Sequence, residues 1–180
     1  MPLHDPHRHV TLPPTPWDPD PVQRWLVEWA DTALARREAT QAWPVHPRDL
    51  EAGQPPPAHH YSLYLGALGV WLALARLAQA GLCRLPDLPA VLTTIHAGYV
   101  ATPDTGERVP SWYLGESALL TALEAVDPHP ARADQLAAIV HANRDNPTRE
   151  ALWGAPGTML AALMRFEATG EPRWRALYLE

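Results

Sequence analysis

Trp112-Tyr113-Leu114-Gly115-Glu116-Ser117-Ala118-Leu119-Leu120-Thr121-Ala122-Leu123 opens on bulky apolar residues, passes through a glycine and continues as a Leu/Ala run. The pattern occurs twice more, at Leu63-Tyr64-Leu65-Gly66-Ala67-Leu68-Gly69-Val70-Trp71-Leu72-Ala73-Leu74 and at Ala151-Leu152-Trp153-Gly154-Ala155-Pro156-Gly157-Thr158-Met159-Leu160-Ala161-Ala162. One turn after each first glycine stands another small residue: Gly69, Ala118 or Gly157. Glycine at a helix start admits unusual backbone angles, and a small residue one turn later lets helix ends crowd together. The first glycines, Gly66, Gly115 and Gly154, are 49 and 39 residues apart, enough for one inner helix, one outer helix and their loops. Such helix-pair repeats bury their apolar faces only against neighbouring repeats.

Working outward from these segments, helical patterns cover Val22 to Thr40, Tyr61 to Ala80, Leu88 to Tyr99, Tyr113 to Val126, Ala131 to Asn143 and Ala151 to Thr169. A seventh opens near Pro172, and no stretch reads convincingly as a strand. In the first helix Trp25, Leu26, Trp29, Ala33 and Leu34 form one apolar stripe, with Glu28, Asp31 and Arg36 outside it. The proline-rich stretch Ala52 to Ala58 and the loop Thr102 to Pro110 separate elements without splitting the chain into two domains. Thr169-Gly170-Glu171-Pro172 reads as a helix-ending glycine followed by a helix-starting proline. The expected fold class is therefore all-α. Residues 1–21, rich in Pro and His, read as a mobile arm, and residues 22–180 as the helical domain.

Composition agrees and removes several function classes. The chain of 180 residues is 47% hydrophobic and 19% charged, in the range of a globular protein, and its apolar content is mainly Leu and Ala. Net charge is -6 with scattered arginines, which disfavours nucleic acid and anionic lipid as partners. The longest apolar run, Leu63 to Ala75, is shorter than the ~20 residues of a membrane-spanning helix. The single cysteine, Cys83, points to a reducing, cytoplasmic setting and reads as a small buried hydrophobe. His4, His7 and His9 have no Cys or carboxylate cluster to fix a metal geometry, so no metal site is expected within the chain. Gly-x-Ser-x-Gly, phosphate-loop and Cys-x-x-Cys motifs are all missing from the sequence.

The glycine segments, above all Glu150 to Ala162, resemble the lanthionine synthetase C-like family, and the similarity runs from about Tyr61 onward. The resemblance implies an α/α toroid, with inner helices around a central cavity and glycine-rich bulges at its mouth. It also implies an activity, addition of a cysteine or glutathione thiol to dehydroamino acids in peptides, so that a peptide or small thiol is the expected substrate. In the family a zinc ion held by two cysteines and a histidine deprotonates the thiol, and those ligands lie in later repeats. None of those motifs is present here, so the chain is expected to be the amino-terminal part of such a protein, an incomplete toroid with zinc belonging only to a full-length member. An incomplete ring would expose apolar helix edges and favour self-association. The family's aspartate before the second repeat's glycine is replaced here by Val109-Pro110-Ser111-Trp112-Tyr113-Leu114, which points to a divergent relative.

Within the chain Glu116 is the candidate catalytic residue, because Ala67 and Ala155 fill its slot in the sister segments. It reads either as a proton acceptor or cation binder at the cavity mouth, or as a first-turn acid favoured by the helix dipole. Tyr64, Trp112, Tyr113 and Trp153 gather at the same mouth with Gly66, Gly69, Gly115, Gly154 and Gly157, either as a binding rim or as an aromatic plug. His96 and His141 read as structural histidines of outer helices, while His59 and His60 precede the first repeat's inner helix, where they could face the cavity. Two readings remain beside the enzymatic one: a non-catalytic helical module binding a peptide or partner, and a carbohydrate-active toroid, which would need two cavity-facing carboxylates.

Overall fold

The computed structural model describes residues 14–49 and 59–179. His4, His7 and His9, most of the amino-terminal arm and the Ala52 to Ala58 stretch lie outside the described residues. Among the described residues the chain is all-helical: α1 (Pro19–Arg36), α2 (Ala67–Gln79), α3 (Leu88–Ala101), α4 (Glu116–Val126), α5 (Pro130–Ala142), α6 (Ala155–Thr169) and α7 (Pro172–Leu179), with a short 3-10 turn at Pro47–Asp49. The nearest approach to β structure is an isolated bridge between Pro44 and His59.

Local chemistry explains most boundaries. Asp18 caps α1 by accepting the Asp20 N–H at 3.0 Å, and Pro19 starts the helix where no N–H is needed, so α1 begins three residues before the apolar pattern does. α3, α5 and α6 also carry proline in their first turn. Gly170 ends α6 in the left-handed conformation, φ 69°, and Pro172 opens α7. The larger departure from expectation lies at the glycine segments. Helix there begins at residues 67, 116 and 155 rather than at 61, 113 and 151, and the aromatic and leucine residues before each glycine form a turn.

α4 packs on α3, α5 and α6, α6 packs on α5 and α7, and α2 packs on α1 and α3. Two apolar cores result. Trp71, Leu68, Leu74, Leu92, Ile95 and Tyr99 centre the first, between α1 and α4, and Leu120, Leu136, Ala161, Ala162 and Trp174 the second, between α4 and α7. Burying each such Leu or Ile side chain contributes about 1.5–3 kcal/mol, so both cores are substantial. Trp112 touches both and joins them. Behind α1 the chain folds back through Gln41, a non-glycine residue at φ 59°, whose carbonyl accepts the Trp71 indole N–H at 2.7 Å. Trp43 donates to the Ala33 carbonyl at 2.9 Å and stacks obliquely on Trp71.

Candidate functional site

The starts of α2, α4 and α6 share one local geometry. A Cβ placed on Gly66, Gly115 or Gly154 would come closer than 3.0 Å to the backbone of the residue six positions earlier: His60, Val109 and Thr148 respectively. Gly69 and Gly157 repeat the relation one turn later, against the carbonyls of Leu63 and Ala151. None of these glycines has positive φ, so close approach rather than backbone angle demands them. The approaching carbonyls also do work for the helix, because its first N–H groups have no intrahelical acceptor. Ala67 donates to His60 O at 3.0 Å, Leu68 to Tyr61 O at 3.2 Å, and Glu116 to Val109 O at 3.0 Å.

A polar side chain four residues before each first glycine shapes the turn. Ser62 Oγ accepts from Leu65 N, Ser111 Oγ from Tyr113 N and Leu114 N, and the Glu150 carboxylate from Leu152 N and Trp153 N at 2.5 and 2.7 Å. These three residues were missed in the sequence, although the spacing from Ser or Glu to the glycine is constant. Asp104 adds a clamp from the α3–α4 loop, accepting Tyr61 N and Ser62 N at 2.8 Å each. The turns are also joined in series: Tyr64 N donates to Tyr113 O at 2.9 Å, and Ser111 Oγ donates to Leu152 O. Of the aromatic candidates on this end, Tyr64 is 67% and Trp153 42% exposed, while Trp112 and Tyr113 are half-buried, Trp112 lying against the cores.

Glu116, the first residue of α4, is buried and bonded on every side. His96 Nε2 of α3 lies 2.9 Å from its Oε1, Gln135 of α5 donates to Oε1 at 3.0 Å, and the Arg108 guanidinium grips both oxygens at 2.6 to 3.2 Å. Burial works to raise its pKa, but the hydrogen bonds and charges of His96 and Arg108 prevail and hold it below the ordinary carboxylate value. A carboxylate so held is an anchor, tying the α3–α4 loop to three helices; its cationic partner is Arg108 of the same chain. A cleft of about 310 Å³ beside it is lined by Arg108, Val109, Pro110, Ile139 and Ala142.

The sign of the pH effect follows. Because the folded-state pKa is below the unfolded one, about 4.3, ionised Glu116 adds stability that is complete above that pH and is lost as pH falls toward the folded value. Urea titrations of wild type and Glu116→Gln should therefore differ at neutral pH, and the difference should shrink as pH falls below about 4.3. A gap that stays constant across this range would mean that the charge of Glu116 contributes nothing.

The other named residues lie outside the group around Glu116. His59 pairs with Glu38 at 2.9 Å, His60 lines a cleft with Trp43 and His46, and His141 lies on the exposed side of α5. Cys83 donates weakly to Leu74 O, and burial, then the charge of Asp31, push its thiol upward. Sequence reading also missed a second buried ionic group. Glu124 of α4 meets Arg165 of α6 at 3.2 Å and Arg132 of α5 at 3.4 Å, and Arg165 lies over the Trp174 ring. Among the described residues no group of three or more His, Cys, Asp or Glu could hold a metal ion, and no helix is long and apolar enough to cross a membrane. Comparison with known protein families, curated proteins and solved structures found no match.

Proposed function

We propose that the chain is a portion of a lanthionine synthetase C-like toroid, in a protein that adds a thiol to dehydroamino acids of a peptide. The shared glycine geometry at the starts of α2, α4 and α6 carries this reading: three helices, each opened by a glycine pressed against the backbone of the residue six positions upstream. Alternation with α3, α5 and α7 supports an inner and an outer ring. In the reaction sulfur bonds to the β-carbon of the dehydroamino acid and a proton is delivered to the α-carbon.

The zinc set of the family does not fit the residues here. It takes two cysteines, whereas this chain has Cys83 alone, hydrogen-bonded to Leu74 O with its thiol pushed up rather than down. The contribution assigned to these 180 residues is thus the wall and rim of the cavity, with Tyr64, Tyr113 and Trp153 lining the side where a peptide enters. The binding-module reading draws on the same exposed aromatics and on the engagement of Glu116 by its own chain. Among the described residues no pair of cavity-facing carboxylates supports a carbohydrate-active reading.

The native gene product decides between the first two. Stoichiometric zinc by elemental analysis, with a glutathione adduct on a dehydroalanine-containing peptide by mass spectrometry, is the expected result. A native product that holds the peptide but no zinc and forms no adduct would overturn the thiol-addition reading in favour of the binding module.

A further inference from the structure

Residues of α2, α3, α4 and α6 line a trough of about 520 Å³, within the 300–1,000 Å³ range of small-molecule sites. Its walls are Leu72, Leu92, Trp112, Val126 and Met164, and its floor is stepped down by Ala118, Ala122 and Ala125. α4 and α6 pack closely, whereas α2 stands off α4 and the alanines leave the space between them open. Leu72, Val126 and Met164 are 38%, 36% and 48% exposed, so apolar surface faces water along its length. Trp112 marks the end nearest the glycine turns. Arg76 and Gln79, one and two turns beyond Leu72 on α2, mark the other, with Gln79 roughly 10 Å beyond Leu72 by helical rise.

The charge at that far end is the informative feature. Arg76 donates to Gln79 Oε1 at 3.2 Å, has no carboxylate partner among the described residues, and none of the trough's lining residues is acidic. The guanidinium and the Gln79 amide N–H together present donors to a carboxylate, while the trough beyond them offers only apolar contact. We propose that the trough binds a free medium-chain fatty carboxylate, its head on Arg76 and Gln79 and its tail running over Ala118, Ala122 and Ala125 toward Trp112. The inference is independent of the thiol-addition reading, since it asks nothing of zinc, peptide or Glu116.

Titration calorimetry of the full chain with decanoate, decanol and acetate, each below its aggregation concentration, tests it. Decanoate should bind saturably, decanol about tenfold more weakly, the size of one charge-assisted hydrogen bond, and acetate not measurably. Arg76→Gln should abolish the preference for decanoate over decanol while leaving decanol binding unchanged. Leu72→Trp, at a half-open position that tolerates a larger side chain without disturbing the core, should weaken both. Equal binding of decanoate and decanol to wild type, no binding of decanoate, or insensitivity to Leu72→Trp would each overturn the proposal.

Discussion

Glu124→Ala should lower the stability of this chain by about 3–5 kcal/mol, the cost of leaving a buried charge without its partner. Glu124 is 2% and Arg165 6% exposed, and the pair lies where α4, α5 and α6 meet. The Glu124 carboxylate also accepts the His129 N–H at 2.9 Å, which fixes the start of α5. With the carboxylate gone, the Arg165 guanidinium keeps one bond, to the Glu124 carbonyl at 3.1 Å, and its Nε already lacks a partner. Replacing both partners by apolar residues of similar volume, Glu124→Leu with Arg165→Met, should recover most of the loss, because the desolvation penalty leaves with the charges. Urea unfolding of Glu124→Ala, of Glu124→Leu and Arg165→Met singly, and of the double variant measures this directly. Additive losses in the double variant would mean that the pair is not coupled.

The second large effect concerns the glycines. Gly154→Ala should cost about 3 kcal/mol or more, because its Cβ would meet the Thr148 carbonyl and the Glu150 oxygen, both backbone atoms that cannot turn aside. Gly106→Ala supplies the contrast. That residue has φ 83° and open space around it, so its substitution costs only the left-handed backbone penalty of about 1–2 kcal/mol. If thermal unfolding ranks the two equally, close approach is not what holds glycine at the helix starts.

The contrast also shows what the sequence could reveal. The helices were legible because proline and glycine punctuate them and because their apolar residues recur at helical spacing. The exact helix starts were not, since Tyr61 to Leu65, Trp112 to Leu114 and Ala151 to Trp153 have the composition of helix. Ser62, Ser111 and Glu150 bend them into turns through bonds that propensity does not register. Glu116 stood out by occupying a slot otherwise held by alanine, yet its partners His96, Arg108 and Gln135 come from other elements. The Glu124–Arg165 pair gave no signal at all, because its members are far apart in the chain and nothing in local spacing connects them.

The serial joining of the glycine turns bears on how the protein is made. The ribosome releases Tyr64 well before Tyr113, whose carbonyl accepts the Tyr64 amide, and before Asp104, which clamps Tyr61 and Ser62. Ser111 in turn waits for Leu152. The turns before α2 and α4 thus emerge from the tunnel unfinished and are each completed by the segment that follows, so these native contacts close in the direction of synthesis.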